Sequence, residues 1–186
     1  PGQIAAQLAK KSGARVIGVD PIDKRLELAQ DLGALDFGMN PNNGSPAEAI
    51  KERTGGLGAD VSIEVSGSTQ ALNEAIRATA YSSRVVALGF FQGEARGLYL
   101  GEEFHHNRID LVCSQISGSA PRISHRWNRE RLVRTFMSLQ SGGMLNLRPL
   151  ITQIFKFEQA EQAYLLLEER PQEALQVVLD FQTRER

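Results

Sequence analysis

Apolar positions recur along the chain in two alternating rhythms. After Gly2, the residues Ile4, Ala5, Leu8 and Ala9 fall at helical spacing, with Lys10 and Lys11 in the last turn and Gly13 as the stop. "ARVIGVD" is short, β-branched and bounded by turn residues, which predicts a buried strand ending at Asp20. Helical spacing returns in "DKRLELAQDLGA" through Leu26, Leu28 and Leu32, with Gly33 at the C-cap. "LDFGM" is a weak strand, and it leads into the loop "NPNNGSP", where Ser45 is placed to cap a helix over residues 46–53. "ADVSIEVSG" predicts a strand, "STQALNEAIRATA" a helix capped by Ser68 or Thr69, and "SRVVALGFF" the next strand. An irregular stretch then runs to His106, and "RIDLVCSQ" closes the series as a strand. Strands alternating with helices predict right-handed crossovers and a mostly parallel sheet covered by helices on both faces.

Beyond Ser117 the rhythm changes. "SGSAPRISHRWNRERLVRTFMSLQSGG" reads as a loop and then a helix carrying Leu132, Val133, Phe136 and Met137, ended by Gly142 and Gly143. "LITQIFKF" is strand-like, "EQAEQAYLLLEERP" is a helix stopped by Pro171, and "ALQVVLDF" is a final strand. The tail "QTRER" is expected to fray. Two domains follow from the change: residues 1–117, and a C-terminal segment over 118–186.

Composition narrows the function classes. The 186 residues carry 41% hydrophobic and 23% charged side chains, ordinary values for a globular chain. A formal net charge of -1, with no long block of like charge, supplies no electrostatic footprint for nucleic acid or an anionic membrane, so a small molecule is the expected partner. One cysteine, Cys113, permits neither an internal disulfide nor a thiolate zinc cluster, which favours a reducing, cytoplasmic setting. No apolar run approaches the roughly 20 residues that span a bilayer. Cys113 itself, inside an apolar strand, is expected in the core.

Two residues at the start suggest chemistry. In a dinucleotide fingerprint, G-x-G-x-x-G, the last glycine lets helix and strand pack closely, and an acidic residue about 20 positions on receives the ribose hydroxyls. Gly2 occupies the last-glycine place and Asp20 stands at the end of the next strand. Taken alone, the pair also reads as a helix-capping glycine followed by a solvated aspartate.

The set "GQIAAQLAKKSGARVIGVD", "DKRLELAQDLGA", "ADVSIEVSGS", "VVALGF", "LVCSQ" and "LITQIFKFEQAEQAYLLLEERPQEALQVVLDF" resembles the C-terminal half of the medium-chain dehydrogenase/reductase family, the zinc-type alcohol dehydrogenase relatives. The resemblance runs from residue 1 to about Phe181 in matching order. It implies a Rossmann-type doubly wound parallel sheet whose first strand lies upstream of this chain, followed by a C-terminal return to the catalytic domain. It also implies NAD as cofactor, an alcohol or carbonyl substrate, a homo-oligomer, and zinc held only by the preceding part of the enzyme. The chain alone, an N-terminally truncated piece on this reading, is then expected to be inactive.

By position in the family, Pro1 and Gly2 belong to the pyrophosphate turn, although Pro1 offers no N–H to a phosphate. Asp20 takes both hydroxyls of the adenosine ribose and disfavours the 2′-phosphate of NADP; Pro21 lies along the adenine, and Arg25 reaches the ribose or phosphate rim. Ser66 and Gly67 turn beneath the adenosine, while Leu88, Gly89, Ser114 and Gln115 end strands where backbone groups hold the nicotinamide carboxamide. No catalytic residue and no metal ligand is implied here; His105 and His106, as neighbours in strand or coil, point apart. "RGLYLGEE" resembles the stretch through which subunits of the family pair, with Leu98 and Leu100 on one face of a short strand.

Two other classes stay open on the sequence. A methyltransferase using S-adenosylmethionine also places an acidic residue after its second strand, but its C-terminal part should form an antiparallel hairpin. A non-catalytic nucleotide-binding protein is the other. "PRISHRWNRERLVR", with five arginines, one histidine and the only tryptophan, reads either as an anion-facing corner or as a surface helix start.

Overall fold

The computed structural model describes residues 1–116 and 118–182. Helices and strands alternate as α1 (Gly2–Lys11), β1 (Ile17–Val19), α2 (Asp23–Asp31), β2 (Phe37–Met39), α3 (Pro46–Arg53), β3 (Ala59–Glu64), α4 (Thr69–Ala78) and β4 (Thr79–Ala87). They continue as α5 (Glu103–His106), β5 (Asp110–Cys113), α6 (Arg129–Ser141), β6 (Ile151–Lys156), α7 (Ala160–Glu169) and β7 (Gln176–Asp180). The expected domain boundary at Ser117 and the tail at 183–186 lie outside the described residues.

Every strand pair among the described residues is parallel, as a mixed α/β reading requires: β1 with β2, β3 with β4, β4 with β5, and β6 with β7. β1 and β3 end separate sheets and are not hydrogen-bonded to each other, and Val19, Val61 and Ile63 in these two strands stay exposed.

Two clusters form the core. Met39, Ala47, Ile50 and Ala78 gather beneath α3 with Ile17, Phe37, Ala49 and Ala59 against them. Leu72, Ile76, Val85 and Ile109 form the second, with Ala75, Ala87, Phe91, Leu98, Phe104 and Leu111 packed against it. The helical spacing of Leu72 and Ile76 thus buries one face of α4 against the β4 strand that carries Val85. Ser45 and Ser68 cap α3 and α4 by accepting the N–H of Glu48 and Ala71, satisfying helix-start donors that otherwise lack partners.

Four local expectations are corrected. β4 starts at Thr79 rather than Ser83, because Ser82 takes a left-handed φ of 55° and donates its N–H to the Asn107 carbonyl at 2.7 Å, so the strand bends without ending. Cys113 is exposed: β5 is the edge of its sheet and Cys113 its last residue, past the helix-covered centre. "RGLYLGEE" forms turns leading into α5, with Leu98 packed in the second cluster while Tyr99 and Leu100 face outward. His105 and His106 sit in the single turn of α5, their rings edge to face at 5.7 Å.

The C-terminal segment is tied to the first helices. Buried Gln7 in α1 donates to the Asn146 carbonyl at 3.0 Å and accepts the Asn146 N–H at 2.8 Å. In the Arg-rich stretch, Arg131 lies over the Trp127 ring at 4.2 Å and donates to the Arg126 carbonyl, and Arg134 pairs with Glu130.

Candidate functional site

In open parallel sheets, ligands bind outside the carboxyl ends of the strands, where a change of strand order opens a crevice. Here that edge collects the residues after β1, β3, β4 and β5.

Asp20 follows β1 directly. Its N–H still pairs with the Met39 carbonyl of β2 at 3.1 Å, which holds the residue at the sheet's end. Its carboxylate Oδ1 accepts the Ile22 N–H at 2.9 Å, an Asx turn that starts α2, and Oδ2 stands 3.9 Å from Arg25 Nη1. One face of the carboxylate therefore shapes the turn, and the other remains available to hydroxyl donors. Pro21 gives its carbonyl to Asn40 Nδ2 at 3.1 Å. Arg25 has partners of its own: Nη2 donates to the Pro171 and Ala174 carbonyls at 3.2 Å each, fastening α2 to the C-terminal segment.

The start of α1 faces the same region. No side chain caps it; Pro1 supplies its carbonyl to Ile4 and Ala5, and the N–H groups of Gly2 and Gln3 lie in the first turn, where a helix has no acceptors for them. A Cβ on Gly2 would stand 3.2 Å from Val65 Cγ2, so the bare glycine lets the helix start close against the end of β3. Two buried polar atoms nearby lack partners among the described residues: Gln3 Oε1 and Arg25 Nε. Gln3 Nε2 meanwhile donates to the Arg25 carbonyl at 2.7 Å, joining the two helix starts. An unsatisfied acceptor and donor beside a carboxylate and a bare helix start fit a polyhydroxylated, anionic group.

Residues 64–67 and 88–90 form the tightest part of the edge. The Glu64 carbonyl accepts the N–H groups of Leu88 and Gly89 at 2.8 and 3.0 Å, and its carboxylate accepts the Ser66 N–H at 2.6 Å and the Gly67 N–H at 3.1 Å. Ser66 Oγ donates to the same carboxylate at 2.5 Å. Gly67 has φ 76°, and a Cβ there would lie 2.3 Å from the Phe90 carbonyl oxygen. A Cβ on Gly89 would lie 2.2 Å from Gly67 N and 2.5 Å from Glu64 Oε2. Both glycines are required by close backbone approach, the condition under which glycine cannot be replaced cheaply.

Beyond them, Ser114 donates its N–H to the Ala87 carbonyl at 2.9 Å, and Ser114 and Gln115 lie exposed at the end of β5. The structure thus brings Ser66, Gly67, Leu88 and Gly89 into one cluster through Glu64, with Ser114 on the neighbouring strand; Asp20, Pro21 and Arg25 belong to the separate β1–β2 side. Glu64 and Gln3 are the residues the sequence reading missed. For Glu64 the signal was present in "ADVSIEVSG", where a carboxylate at the apolar end of a strand-like run stands two residues before Ser-Gly; for Gln3 the sequence offered none. Among the described residues, no group of three or more His, Cys, Asp or Glu comes together that could hold a metal ion. No helix among them is long and apolar enough to cross a membrane.

The family model described as zinc-binding dehydrogenase matches residues 2–129. D-guloside 3-dehydrogenase of Escherichia coli K12 is 37% identical over 182 residues, covering 97% of this chain and 52% of that protein. L-threonine 3-dehydrogenase of Thermococcus kodakarensis is 33% identical over 168 residues, covering 89% and 45%. Among solved structures, a dehydrogenase of unknown specificity from Escherichia coli superposes with a TM-score of 0.82 at 18% identity, covering 97% of this chain and 48% of that one. A likeness of that kind shows the shared fold. The chain spans about half the length of the curated relatives it matches.

Proposed function

The chain belongs to the zinc-binding dehydrogenase family, and from that premise we propose that it is the NAD-binding part of an oxidoreductase that moves a hydride between an alcohol or carbonyl substrate and the nicotinamide. The observation that carries the reading is Asp20, held at the carboxyl end of β1 with one oxygen committed to the α2 turn and the other, 3.9 Å from Arg25 Nη1, within reach of ribose hydroxyls.

Bound NAD supplies the hydride acceptor, and its reduced form the donor. Each residue then has a binding task. Asp20 orients the adenosine ribose, with Pro21 against the adenine; Pro1 and Gly2 bring the start of α1 to the pyrophosphate. Ser66 and Gly67 floor the adenosine side, and the strand ends at Leu88, Gly89, Ser114 and Gln115 offer backbone groups to the nicotinamide carboxamide. Arg25, whose Nη2 is bonded to the Pro171 and Ala174 carbonyls, acts as a brace at the rim.

Zinc, which the family's description names, finds no ligand cluster among the described residues. On this reading residues 1–117 form the cofactor domain and 118–186 a segment that belongs with a catalytic domain. A cytoplasmic homo-oligomer completes the proposal. The methyltransferase reading loses its support, because β6 and β7 run parallel around α7 where an antiparallel hairpin was required.

Asp20 also sets the choice between nucleotides. A carboxylate about 4 Å from a 2′-phosphate at an effective dielectric near 20 is opposed by roughly 4 kcal/mol, which water and salt at a partly open site reduce to about 2–3. NAD is therefore preferred over NADP by roughly 30- to 150-fold. The ties of Arg25 to the C-terminal segment work against its swinging out to a phosphate. In the natural gene product, Asp20→Ser should shrink the NAD:NADP affinity ratio by at least about tenfold. Tighter binding of NADP by the wild type, or an unchanged ratio in the variant, would remove the ribose role from Asp20.

A further inference from the structure

We propose that Glu64 sets the balance between oxidised and reduced cofactor, through a buried negative charge beneath the nicotinamide side of the site. The proposal rests on the reading of this edge as an NAD site.

Glu64 is 4% exposed at the end of β3, whose other carboxylate, Asp60, faces solvent. Both of its carboxylate oxygens accept hydrogen bonds, from Ser66 N, Ser66 Oγ and Gly67 N. Each contact is made by a donor, the pattern of an ionised carboxylate, which is acceptor-only. Among the described residues no Lys, Arg or His forms an ion pair with it. A buried carboxylate is ordinarily paired or neutralised. This one is compensated only by N–H and O–H dipoles, so its field is left uncancelled by a countercharge.

That field emerges where the strand ends converge. The Gly89 position lies so close that a Cβ there would be 2.5 Å from Glu64 Oε2, and the Leu88 and Gly89 N–H groups are bonded to the Glu64 carbonyl. Leu88 and Gly89 are the residues assigned to the nicotinamide, and Ser66 and Gly67, which donate to the carboxylate, are those assigned to the adenosine side, so the charge lies where the two meet. The oxidised ring carries a positive charge and the reduced ring none, while the rest of the dinucleotide is unchanged. A fixed anion behind the strand ends that would hold the ring therefore attracts one redox form and is indifferent to the other. A purely structural carboxylate would hold the Ser66–Gly67 turn and treat both forms alike.

The test is equilibrium binding of NAD+ and of NADH to the natural gene product and to Glu64→Gln, by calorimetry. The amide keeps an acceptor for Ser66 and removes the charge. We expect Glu64→Gln to lower the affinity for NAD+ relative to NADH by at least about fivefold, close to 1 kcal/mol by the usual conversion. Glu64→Asp, which keeps the charge at shorter reach, should weaken both forms and leave their ratio within about twofold of wild type. If Glu64→Gln does not fold, Glu64→Asn against Glu64→Asp makes the same neutral-to-charged comparison with the turn loosened in both. Equal losses for NAD+ and NADH in the neutral variant would overturn the proposal while leaving the NAD site in place. Failure of the wild type to bind either form would instead overturn the cofactor reading.

Discussion

Gly89→Ala puts the packing of the strand edge to a direct test. The added methyl would meet Gly67 N at 2.2 Å, Glu64 Oε2 at 2.5 Å and Gly67 Cα at 2.7 Å, where ordinary contacts begin at 3.4 Å. Two of the three neighbours are backbone and the third is a buried carboxylate, so no flexible side-chain end can move aside. Gly67 is fixed in turn by its N–H bonds to Glu64 and by the Phe90 carbonyl on its other side. Relief requires β4 to draw away from β3, breaking the bonds of Leu88 and Gly89 N–H to the Glu64 carbonyl. Two lost hydrogen bonds at about 1 kcal/mol each, with an overpacking cost of about 1–3 kcal/mol, give a destabilisation of roughly 3–5 kcal/mol. Urea denaturation of the natural gene product reads this as a lower midpoint at unchanged slope, and NAD+ affinity should fall in the same variant. Gly101→Ala is the control, because nothing lies within 4 Å of its Cβ position and its φ is not left-handed; it should stay within about 0.5 kcal/mol of wild type. Equal stability of the two variants would refute the account of the edge as a closed backbone contact.

The remaining expectations concern pH and assembly. The Lys10 ammonium, and after it the Val16 N–H, hold the Asp36 carboxyl below the usual carboxylate range. Because the folded-state value is the depressed one, the stability it supplies is present above about pH 4 and is lost as pH falls through the lower folded value. Lys10→Met should therefore make the acid limb of a stability–pH curve shallower, and an unchanged limb would deny the linkage. For assembly, Leu98 is packed in the α4–β4 core while Leu100 is 46% exposed. Leu100→Lys should shift the proposed oligomer toward monomer in sedimentation without loss of fold, whereas Leu98→Lys should destabilise the subunit itself; an oligomer indifferent to Leu100→Lys would move the interface elsewhere.

Features fixed by neighbours in sequence were the legible ones. Ser45 and Ser68 announce their helices because a cap needs only the residue and the N–H three positions on. Asp20 could be located because a β-branched run must end before the turn that its own side chain closes onto Ile22. What escaped depends on partners far along the chain. Nothing near Glu64 in sequence says that Leu88 and Gly89 will bond to its carbonyl. An apolar run around Cys113 predicts a strand, but not that the strand lies at a sheet edge with its last residue uncovered. The alternation in "RGLYLGEE" reads as strand, yet Leu98 finds more apolar surface in the cluster with Leu72 and Ile76, and the segment turns to reach it. The resemblance puts Arg25 at the cofactor rim, and its bonds to the Pro171 and Ala174 carbonyls, 146 and 149 residues away, are not legible from that position.

The most direct test of the central claim is calorimetric titration of the natural gene product with NAD+ and, separately, with S-adenosylmethionine. The account predicts a saturable NAD+ isotherm that weakens in Asp20→Ser, and no heat from S-adenosylmethionine. Binding of S-adenosylmethionine alone, or NAD+ binding that ignores Asp20→Ser, would contradict it.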